Sequence, residues 1–322
     1  MKTLIATAAS VIACASVNTA LAQEYPTRPI RYVVPFAPGG TTDILGRIVA
    51  QKLRDAWGQT VVVDNRPGAG GAVGAEITAK SQADGYTIMG GTISTHAINA
   101  SVYSKLPYDP IKDFEAITLL ATQPNILVVH PSIAAKNVGE LVALLKAAPD
   151  KYTYATSGNG TSAHLSGELF KSMTKTTMRH VPYKGSPQAL GDVIGGQVSM
   201  SFDNISTAYV QVKAGKLRAI AVTTTKRSNV APEVPTFAES GLAGYELGSW
   251  HGVFAPAGTP KPIVAKLNAE VVRGIQAADS RQRLQALGVE AVGNATETFA
   301  AFVRAEVPKW AKVVKEAGAK IE

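Results

Sequence analysis

Strand-like and helix-like segments alternate along the first part of this sequence, and their order constrains the fold more than any other feature. Residues 30–36 predict a strand, apolar residues at helical spacing between 44 and 53 predict a helix, and residues 61–64 predict a second strand. After a glycine cluster, residues 72–79 predict another helix and residues 86–89 a third strand. The β-α-β-α-β order predicts a parallel sheet covered by helices on both faces.

The same alternation recurs in the second half of the chain, so the sequence predicts two α/β units. The predicted strands span residues 126–129, 152–155, 178–181, 198–202 and 217–222, and the predicted helices span residues 138–145, 165–173 and 189–194. A Pro- and Gly-rich region over residues 231–262 breaks the pattern, and two or three helices close the chain, a long one over residues 296–317. Because they follow a completed second sheet, we expect these helices to return to the first unit.

The amino terminus predicts a secretory signal peptide over residues 1–22. Lys2 precedes an uncharged, Ala-rich stretch, and the small-x-small pattern of residues 20–22 predicts cleavage before Gln23. We therefore expect a periplasmic protein. A membrane-spanning helix is the alternative, but polar residues dilute the stretch and its apolar part falls short of about 20 residues.

Cys14 is the only cysteine of the sequence, and it lies inside the predicted signal peptide. The mature chain therefore has no thiol, which excludes disulfides, cysteine nucleophiles and thiolate metal sites. Residues 11–14 (VIAC) also resemble the lipobox of bacterial lipoproteins, so lipid anchoring at Cys14 is the alternative to simple cleavage.

The formal charge of +8 raises nucleic acid as a partner, but the distribution of the charge argues against it. The longest cationic run in the mature region is the pair Lys226 and Arg227. No basic stretch is interleaved with aromatic residues, as a groove that follows phosphates requires. We interpret the charge as solvated surface and expect no nucleic-acid partner.

Two glycines and two threonines follow the first predicted strand. Gly39 and Gly40 allow close approach of the backbone to a ligand, and Thr41 or Thr42 can cap the following helix. Backbone N–H groups at the positive end of a helix attract an anion. An ordinary strand-to-helix turn is the alternative interpretation.

A similar loop over residues 157–162 (SGNGTS) lies between a predicted strand and a predicted helix of the second unit. Ligands of open α/β sheets bind outside the carboxyl ends of the strands. Two facing sheets would therefore direct two helix amino-termini at one cleft. We expect a small carboxylate to be held there from both sides, largely by backbone amides and hydroxyls.

Sequence motifs of enzymes are largely missing. The glycine cluster of residues 68–74 departs from a dinucleotide fingerprint because Val73 stands where the third glycine is needed. The only Gly-Lys step, at Gly215, is not a Walker loop, and no G-x-S-x-G elbow is present. The five histidines form no H-E-x-x-H pair, and a triad assembled in space stays an open alternative. The histidines are His96, His130, His164, His180 and His251. We expect neither a cofactor nor a metal.

Nine short segments, in order along the mature chain, carry a resemblance to a known family. They are residues 25–30 (YPTRPI), 38–43 (PGGTTD), 65–71 (NRPGAGG), 84–87 (DGYT), 182–185 (PYKG), 202–204 (FDN), 214–218 (AGKLR), 234–236 (VPT) and 255–260 (APAGTP). Each segment alone is a weak signal, but together they are specific. The chain closely resembles the Bug (TctC-type) family of extracytoplasmic solute-binding proteins, which serve tripartite tricarboxylate transporters or act as orphan receptors.

This resemblance implies an α/β, two-lobed periplasmic-binding-protein fold (type II-like) that closes on a small molecule, usually a carboxylate. It implies a hinge with two crossings, which we place near residues 123–125 and 243–248. Lobe 1 would then comprise residues 23–124 and 246–322, and lobe 2 residues 125–245.

The resemblance also carries ligand-binding positions over to this sequence. In the first lobe they are Phe36, Gly39, Gly40, Thr41, Thr42 and Asp43, and the loop after the third strand adds Thr92, Ser94 and His96 as walls of the cleft. In the second lobe they are Ser157, Gly158, Gly160, Thr161 and Ser162, with Tyr183, Lys184 and Asp203 as additions.

Some polar or aromatic residues have a plainer alternative role. Asp43 can either favour the helix dipole or receive a ligand ammonium. Lys184 can pair with a second carboxylate or lie exposed on its loop. Trp250 can line the cleft or pack at the hinge.

The function expected from the sequence is capture without chemistry. A carboxylate would bind between the lobes, hinge closure would desolvate it, and the closed form would be presented to membrane transporter subunits or a signalling partner. An extracytoplasmic enzyme acting on a small organic acid is the alternative. We expect a monomer, as for other hinged receptors.

Overall fold

Apolar runs form buried strands, and segments of helical periodicity form amphipathic helices, over residues 25–319, which are the residues that the computed structural model describes. The signal peptide predicted for residues 1–22 and the alternative at Cys14 lie outside this range. The first part of the chain forms β1 (Ile30–Val34), α1 (Thr41–Trp57), β2 (Val61–Asn65), α2 (Ala72–Ala79), β3 (Thr87–Thr92), α3 (Asn99–Val102) and β4 (Phe114–Val129). A 3₁₀ turn precedes α2, and a π-helical turn, Ser94–Ile98, precedes α3.

The second alternating unit and the closing helices follow. The elements are α4 (Val138–Ala147), β5 (Thr153–Thr156), α5 (Ser162–Thr174), β6 (Arg179–Pro182), α6 (Ser186–Ile194), β7 (Met200–Asn204), α7 (Ile205–Lys213), β8 (Arg218–Val222), β9 (Gly248–Pro256), α8 (Lys261–Gln276), α9 (Ala278–Ala286), β10 (Glu290–Ala291) and α10 (Thr296–Ala317). None of the helices within residues 25–319 is long and apolar enough to cross a membrane.

The strands form two sheets that share one strand. In lobe 1 the order is β2-β1-β3-β9-β4, with β10 on the far side of β4. In lobe 2 the order is β8-β4-β7-β5-β6. Strand β4 pairs with β9 up to Pro124 and with β7 from Asn125, so it passes directly from one sheet into the other.

A second passage between the sheets lies just before β9. Tyr245 packs into the core of lobe 2, whereas Leu247 packs into the core of lobe 1. The backbone N–H of Leu247 donates to the carbonyl of Thr223, which follows β8. The two passages therefore lie beside each other, as in a two-stranded hinge.

Strand β1 pairs in parallel with β2 and β3, as the β-α-β-α-β order predicts, but both sheets also contain antiparallel strands that the sequence did not predict. Strand β9 runs antiparallel to β3 and β4, and β4 runs antiparallel to β7 and β8. Strand β9 also lies within the region where we expected the pattern to break. Its sequence, GSWHGVFAP, has few β-branched residues, but the strand is buried between two neighbours, and this tertiary setting decides its conformation.

Helices cover both faces of each sheet. In lobe 1, α1 and α8 pack on one face through residues such as Leu53 and Leu267, and α10 packs on the other through Phe299 and Val303. In lobe 2, α4 and α5 cover one face, and α6 and α7 cover the other. The closing helices α8 and α10 therefore return to lobe 1, as the sequence predicts.

Trp250 packs against α10 and does not line the cleft. Its indole N–H donates to Glu306 Oε2 at 2.9 Å, and the indole of Trp310 donates to the same oxygen at 2.6 Å. Glu306 is buried, and Lys309 pairs with its other oxygen at 3.0 Å. This carboxylate fixes α10 to the strand that supplies part of the site described below.

Replacing Glu306 with Leu should destabilise the protein, because both buried indole N–H groups would lose their acceptor. We expect a loss of about 3 kcal/mol in the free energy of unfolding, measured by urea titration. Glu306→Gln keeps one acceptor oxygen and should lose less. Equal stability of the Leu variant and the unchanged protein would contradict this role.

Candidate functional site

Four helices begin at one cavity between the lobes. Their first turns follow Gly40 (α1), Thr161 (α5), Gly185 (α6) and Asn204 (α7), each at the carboxyl end of a strand. The cavity is lined by Phe36, Gly40, Thr41, Thr42, Thr92, Ser94, Ser157, Thr161, Ser162, Ser186, Asn204, Ser249 and His251. Three helix amino-termini thus come from lobe 2 and one from lobe 1.

The electrostatics of this cavity favour an anion. The first backbone N–H groups of a helix have no partner within it, and its amino-terminus has a positive partial charge. None of the lining residues is an acid, a lysine or an arginine. A carboxylate would therefore be held by dipoles and hydrogen bonds and not by an ion pair.

Four serine hydroxyls of the lining make no hydrogen bond with any residue of the part of the chain that the structure describes. They are Ser94, Ser157, Ser162 and Ser249. A serine hydroxyl can both donate and accept, so each is free to donate to an acid. The cavity therefore offers several neutral donors in addition to the backbone.

The first loop is fixed from behind by Asp43. This buried carboxylate accepts from the backbone N–H of Gly39 at 3.0 Å, from Asn65 Nδ2 at 3.0 Å and from Arg47 Nε at 2.9 Å. Burial alone would raise the pKa of Asp43, but hydrogen bonds from Arg47, Gly39 and Asn65 hold it below its ordinary value. Asp43 is thus an ionised support of the loop.

The second loop is fixed by Thr161 and His164. Thr161 Oγ1 accepts from the backbone N–H of His164 at 3.2 Å and donates to the carbonyl of Gly158 at 2.7 Å, which caps α5. The backbone N–H of Gly160 donates to His164 Nδ1 at 3.3 Å. The ring of His164 stacks on that of His180, with 4.2 Å between the ring centroids. Burial lowers the pKa of His164 to about 4. The acceptor role of Nδ1 requires this neutral ring.

His251 on β9 connects the cavity to the hinge. Its Nδ1 lies 3.3 Å from Thr42 Oγ1, and its Nε2 lies 3.0 Å from Nε2 of Gln123 on β4. Burial lowers the pKa of His251 to about 3, so the ring is neutral at physiological pH. It therefore adds a polar contact but no charge to the cavity.

The two lobes touch across the mouth of the cavity. Thr41 Oγ1 lies 2.7 Å from Ser206 Oγ, and the backbone N–H of Ala37 donates to the carbonyl of Lys184 at 3.1 Å. Gly70 lies against the carbonyl of Asn159, where any side chain would overlap. The structure is therefore a closed form.

A comparison with known families adds an independent finding to this geometry. The model of the TctC family, described as tripartite tricarboxylate transporter family receptor, matches residues 45–319. This chain belongs to the TctC receptor family.

Similar proteins extend over both lobes of this TctC receptor. Protein BugT of Bordetella pertussis is 36% identical over 324 residues, which cover 100% of this chain and 99% of BugT. The structure of R. palustris Rpa4515 with adipate has a TM-score of 0.89 at 41% identity and covers 92% of this chain and 99% of that one. MatC from Rhodopseudomonas palustris with bound malate has a TM-score of 0.87 at 35% identity, over 90% of this chain and 100% of MatC. The family resemblance drawn from the short segments is confirmed.

Many of the residues predicted from the receptor's sequence line the cavity. These are Phe36, Gly40, Thr41, Thr42, Thr92, Ser94, Ser157, Thr161 and Ser162. A neighbouring recess shares Phe36 and Ser157 with the cavity and adds Gly158, Tyr183 and Lys184, opposite residues 68–71. Lys184 is exposed there. Gly39, Asp43, Gly160 and Asp203 line neither space; Gly39 is exposed, and the other three are buried.

The expectation that His96 is a wall of the cleft is wrong. Its ring is fully buried in lobe 1 and stacks on Phe254 with 3.6 Å between the ring centroids. Thr95 Oγ1 lies 2.8 Å from His96 Nδ1. The π-helical turn that follows β3 carries this side chain into the core, and sequence spacing gave no sign of that turn.

Ser186, Asn204, Ser249 and His251 line the cavity but were not predicted. Ser186 and Asn204 could have been found, because each stands where a predicted strand meets a helix amino-terminus, as in the other two loops. Ser249 and His251 belong to β9, which the sequence did not predict, so no signal pointed to them.

Alanine at Gly70 should hold the receptor partly open, because its Cβ would overlap the Asn159 carbonyl across the cleft. We expect a larger radius of gyration by small-angle X-ray scattering. Gly58→Ala is the matched control, since Gly58 also has a positive φ (+68°) but no neighbour within 4 Å. Both variants should lose about 1 kcal/mol from backbone strain, and identical scattering of the two would contradict the prediction.

Acid should destabilise the second loop through His164. Its pKa is about 4 when folded against an ordinary 6.5, so the unfolded chain binds more protons below pH 6.5, and stability falls as the pH drops from there towards 4. At about pH 5 this histidine accounts for a loss of about 2 kcal/mol. His164→Gln should lose correspondingly less stability between pH 7.5 and 5 in urea titrations, and an unchanged pH dependence would refute the assignment.

Proposed function

We propose that this TctC receptor is an extracytoplasmic solute-binding protein that captures a small carboxylate between its lobes without chemical change. The observation that carries the proposal is the convergence of four helix amino-termini on a cavity without a cationic side chain. Such a site stabilises one negative charge through dipoles and hydrogen bonds. Two similar proteins hold adipate and malate, which supports a dicarboxylate as the ligand, with one of its carboxylates in this site.

Direct contacts to the acid would come from both β-α loops. We assign Gly40, Thr41 and Thr42 in lobe 1, and Thr161 and Ser162 in lobe 2, to the carboxylate, since all five line the cavity at helix amino-termini. Gly39, Asp43 and Gly160 would act by fixing these loops. The adjoining recess, with Tyr183 and the exposed Lys184, would accept the part of the ligand that distinguishes one acid from another.

Closure would turn about the two neighbouring passages between the lobes. We propose lobes of residues 23–124 with 246–322 and of residues 125–245, since β4 changes sheets between Pro124 and Asn125. Binding the acid favours the closed form only to the extent that it binds that form more tightly. A ligand held by both loops would stabilise the contact between Thr41 and Ser206 across the mouth.

The compartment and the partners follow from the same proposal. The predicted signal peptide supports a periplasmic location, and we expect this hinged receptor to bind its ligand as a monomer. The closed form would be presented to membrane transporter subunits, as the family description implies. The alternative of an enzyme is addressed by the fate of the ligand in the test below.

The test uses residues 23–322 and measures melting temperature against mono-, di- and tricarboxylates, acidic amino acids, their amides and aromatic acids. A ligand at 100 times its Kd should add about 2.7 kcal/mol of stability. Mass spectrometry of the recovered ligand should show it unchanged. Conversion of the acid would refute the receptor proposal in favour of an enzyme. If no acid shifts the melting temperature of protein freed of bound ligand, the carboxylate site is refuted.

Replacing Gly40 with Val should weaken binding of a stabilising acid by at least about tenfold, or about 1.4 kcal/mol. Gly40 lines the cavity, and its backbone at φ −80° accepts a β-branched residue, so folding should be nearly intact. Gly191→Val, on an exposed face of α6 with nothing within 4 Å, is the matched control. Unchanged affinity of the Gly40 variant in calorimetry would remove this loop from the site.

A further inference from the structure

The hydroxyl of Ser186 differs from the other serine hydroxyls of the cavity. It lines the cavity at the first position of α6, and its Oγ donates to Asp203 Oδ1 at 2.6 Å. An ionised carboxylate can only accept hydrogen bonds, so the proton of Ser186 is directed at Asp203. Towards the cavity, Ser186 can then offer only lone pairs.

Asp203 is a buried acceptor for this hydrogen bond from Ser186. It is 1% exposed, and Oδ1 also accepts from the backbone N–H of Asn204 at 2.7 Å and from Thr207 Oγ1 at 3.2 Å. Its Oδ2 has no hydrogen-bond partner within residues 25–319. Burial raises the pKa of Asp203 to about 6, which leaves the group ionised at pH 7.5.

The polar lining therefore divides into two parts. Ser94, Ser157, Ser162 and Ser249 are free to donate and suit a carboxylate. At Ser186 a carboxylate oxygen would meet lone pairs, with the negative charge of Asp203 directly behind them. A group that donates a hydrogen bond would be stabilised at that point.

We propose that Ser186 selects acids that carry a hydroxyl or ammonium group beside the carboxylate over the same acids without it, and that Asp203 is the residue that positions Ser186 for this. The proposal rests on the carboxylate receptor proposed above and specifies the chemical class of its ligand. Ser186 contacts the donor group, whereas Asp203 acts only through Ser186.

The experiment compares matched acids by calorimetry at about pH 7.5. The probes are succinate with malate and aspartate, and glutarate with 2-hydroxyglutarate and glutamate. We expect the substituted acid of at least one set to bind about tenfold more tightly than the unsubstituted one, as a hydrogen bond to a charge-assisted acceptor provides. The measured quantity is the ratio of the two Kd values within a set.

Variants assign the ratio to this pair of residues. Ser186→Ala should bring the ratio close to 1, and Ser186→Thr, which keeps the hydroxyl, should preserve it. Asp203→Asn should also lower the ratio, because its amide can donate to Ser186 and free the serine proton. Ser162→Ala is the control within the same cavity, and it should weaken both acids equally and leave the ratio unchanged.

The outcomes separate this inference from the function on which it rests. Equal binding of substituted and unsubstituted acids, or a ratio that survives Ser186→Ala, would overturn the role of Ser186 and leave the receptor proposal standing. A ratio that falls equally in Ser162→Ala would overturn it as well. If ligand-free protein binds none of these acids nor any other carboxylate, the receptor proposal fails and the selection by Ser186 fails with it.

Discussion

Strand β4 is the constraint on which the rest of the structure depends. Its backbone pairs with β9 in one sheet and with β7 and β8 in the other, so neither sheet is complete without it. Because β4 is continuous, it holds the two sheets together at the point where it changes sheets, and the closure proposed above would turn about that point. The loops at the carboxyl ends of the parallel strands consequently face one another, and the four helix amino-termini meet at one cavity.

The sequence predicted the parts of this arrangement that depend on local pattern. Apolar periodicity located most strands and helices, and the Gly-Gly-Thr-Thr and Ser-Gly-Asn-Gly-Thr-Ser loops were placed correctly between a strand and a helix. Strand β9 and the side chain of His96 were beyond such reasoning. Both are decided by burial between distant segments, because β9 is enclosed by β3 and β4, and His96 is turned inward by a π-helical turn. The contacts that select a ligand depend on this tertiary arrangement as well.

Each lobe conceals a carboxylate behind its loops, but the two are treated differently. Asp43 has Arg47 as a counterion and serves to fix the backbone of its loop. Asp203 receives only hydroxyls and a backbone N–H, so its charge is less compensated and acts on what lies in front of it. A field that attracts anions from four helix ends is thus opposed locally in lobe 2. In the selection proposed for Ser186, this opposition makes the affinity for a carboxylate depend on the group next to it in the ligand.

The contacts that join the lobes at the mouth include main-chain contacts, at Ala37 with Lys184 and at Gly70 with Asn159, beside the side-chain contact of Thr41 with Ser206. Main-chain contacts are insensitive to exchange of side chains, except at the glycines that permit them. The cavity, in contrast, is lined largely by serine and threonine residues, and the ligand preference proposed above depends on their hydroxyls. Exchange of hydroxyl-bearing residues other than Thr41 would therefore alter the cavity and leave these main-chain contacts in place, so a receptor of this architecture could acquire a new solute without a new closing motion.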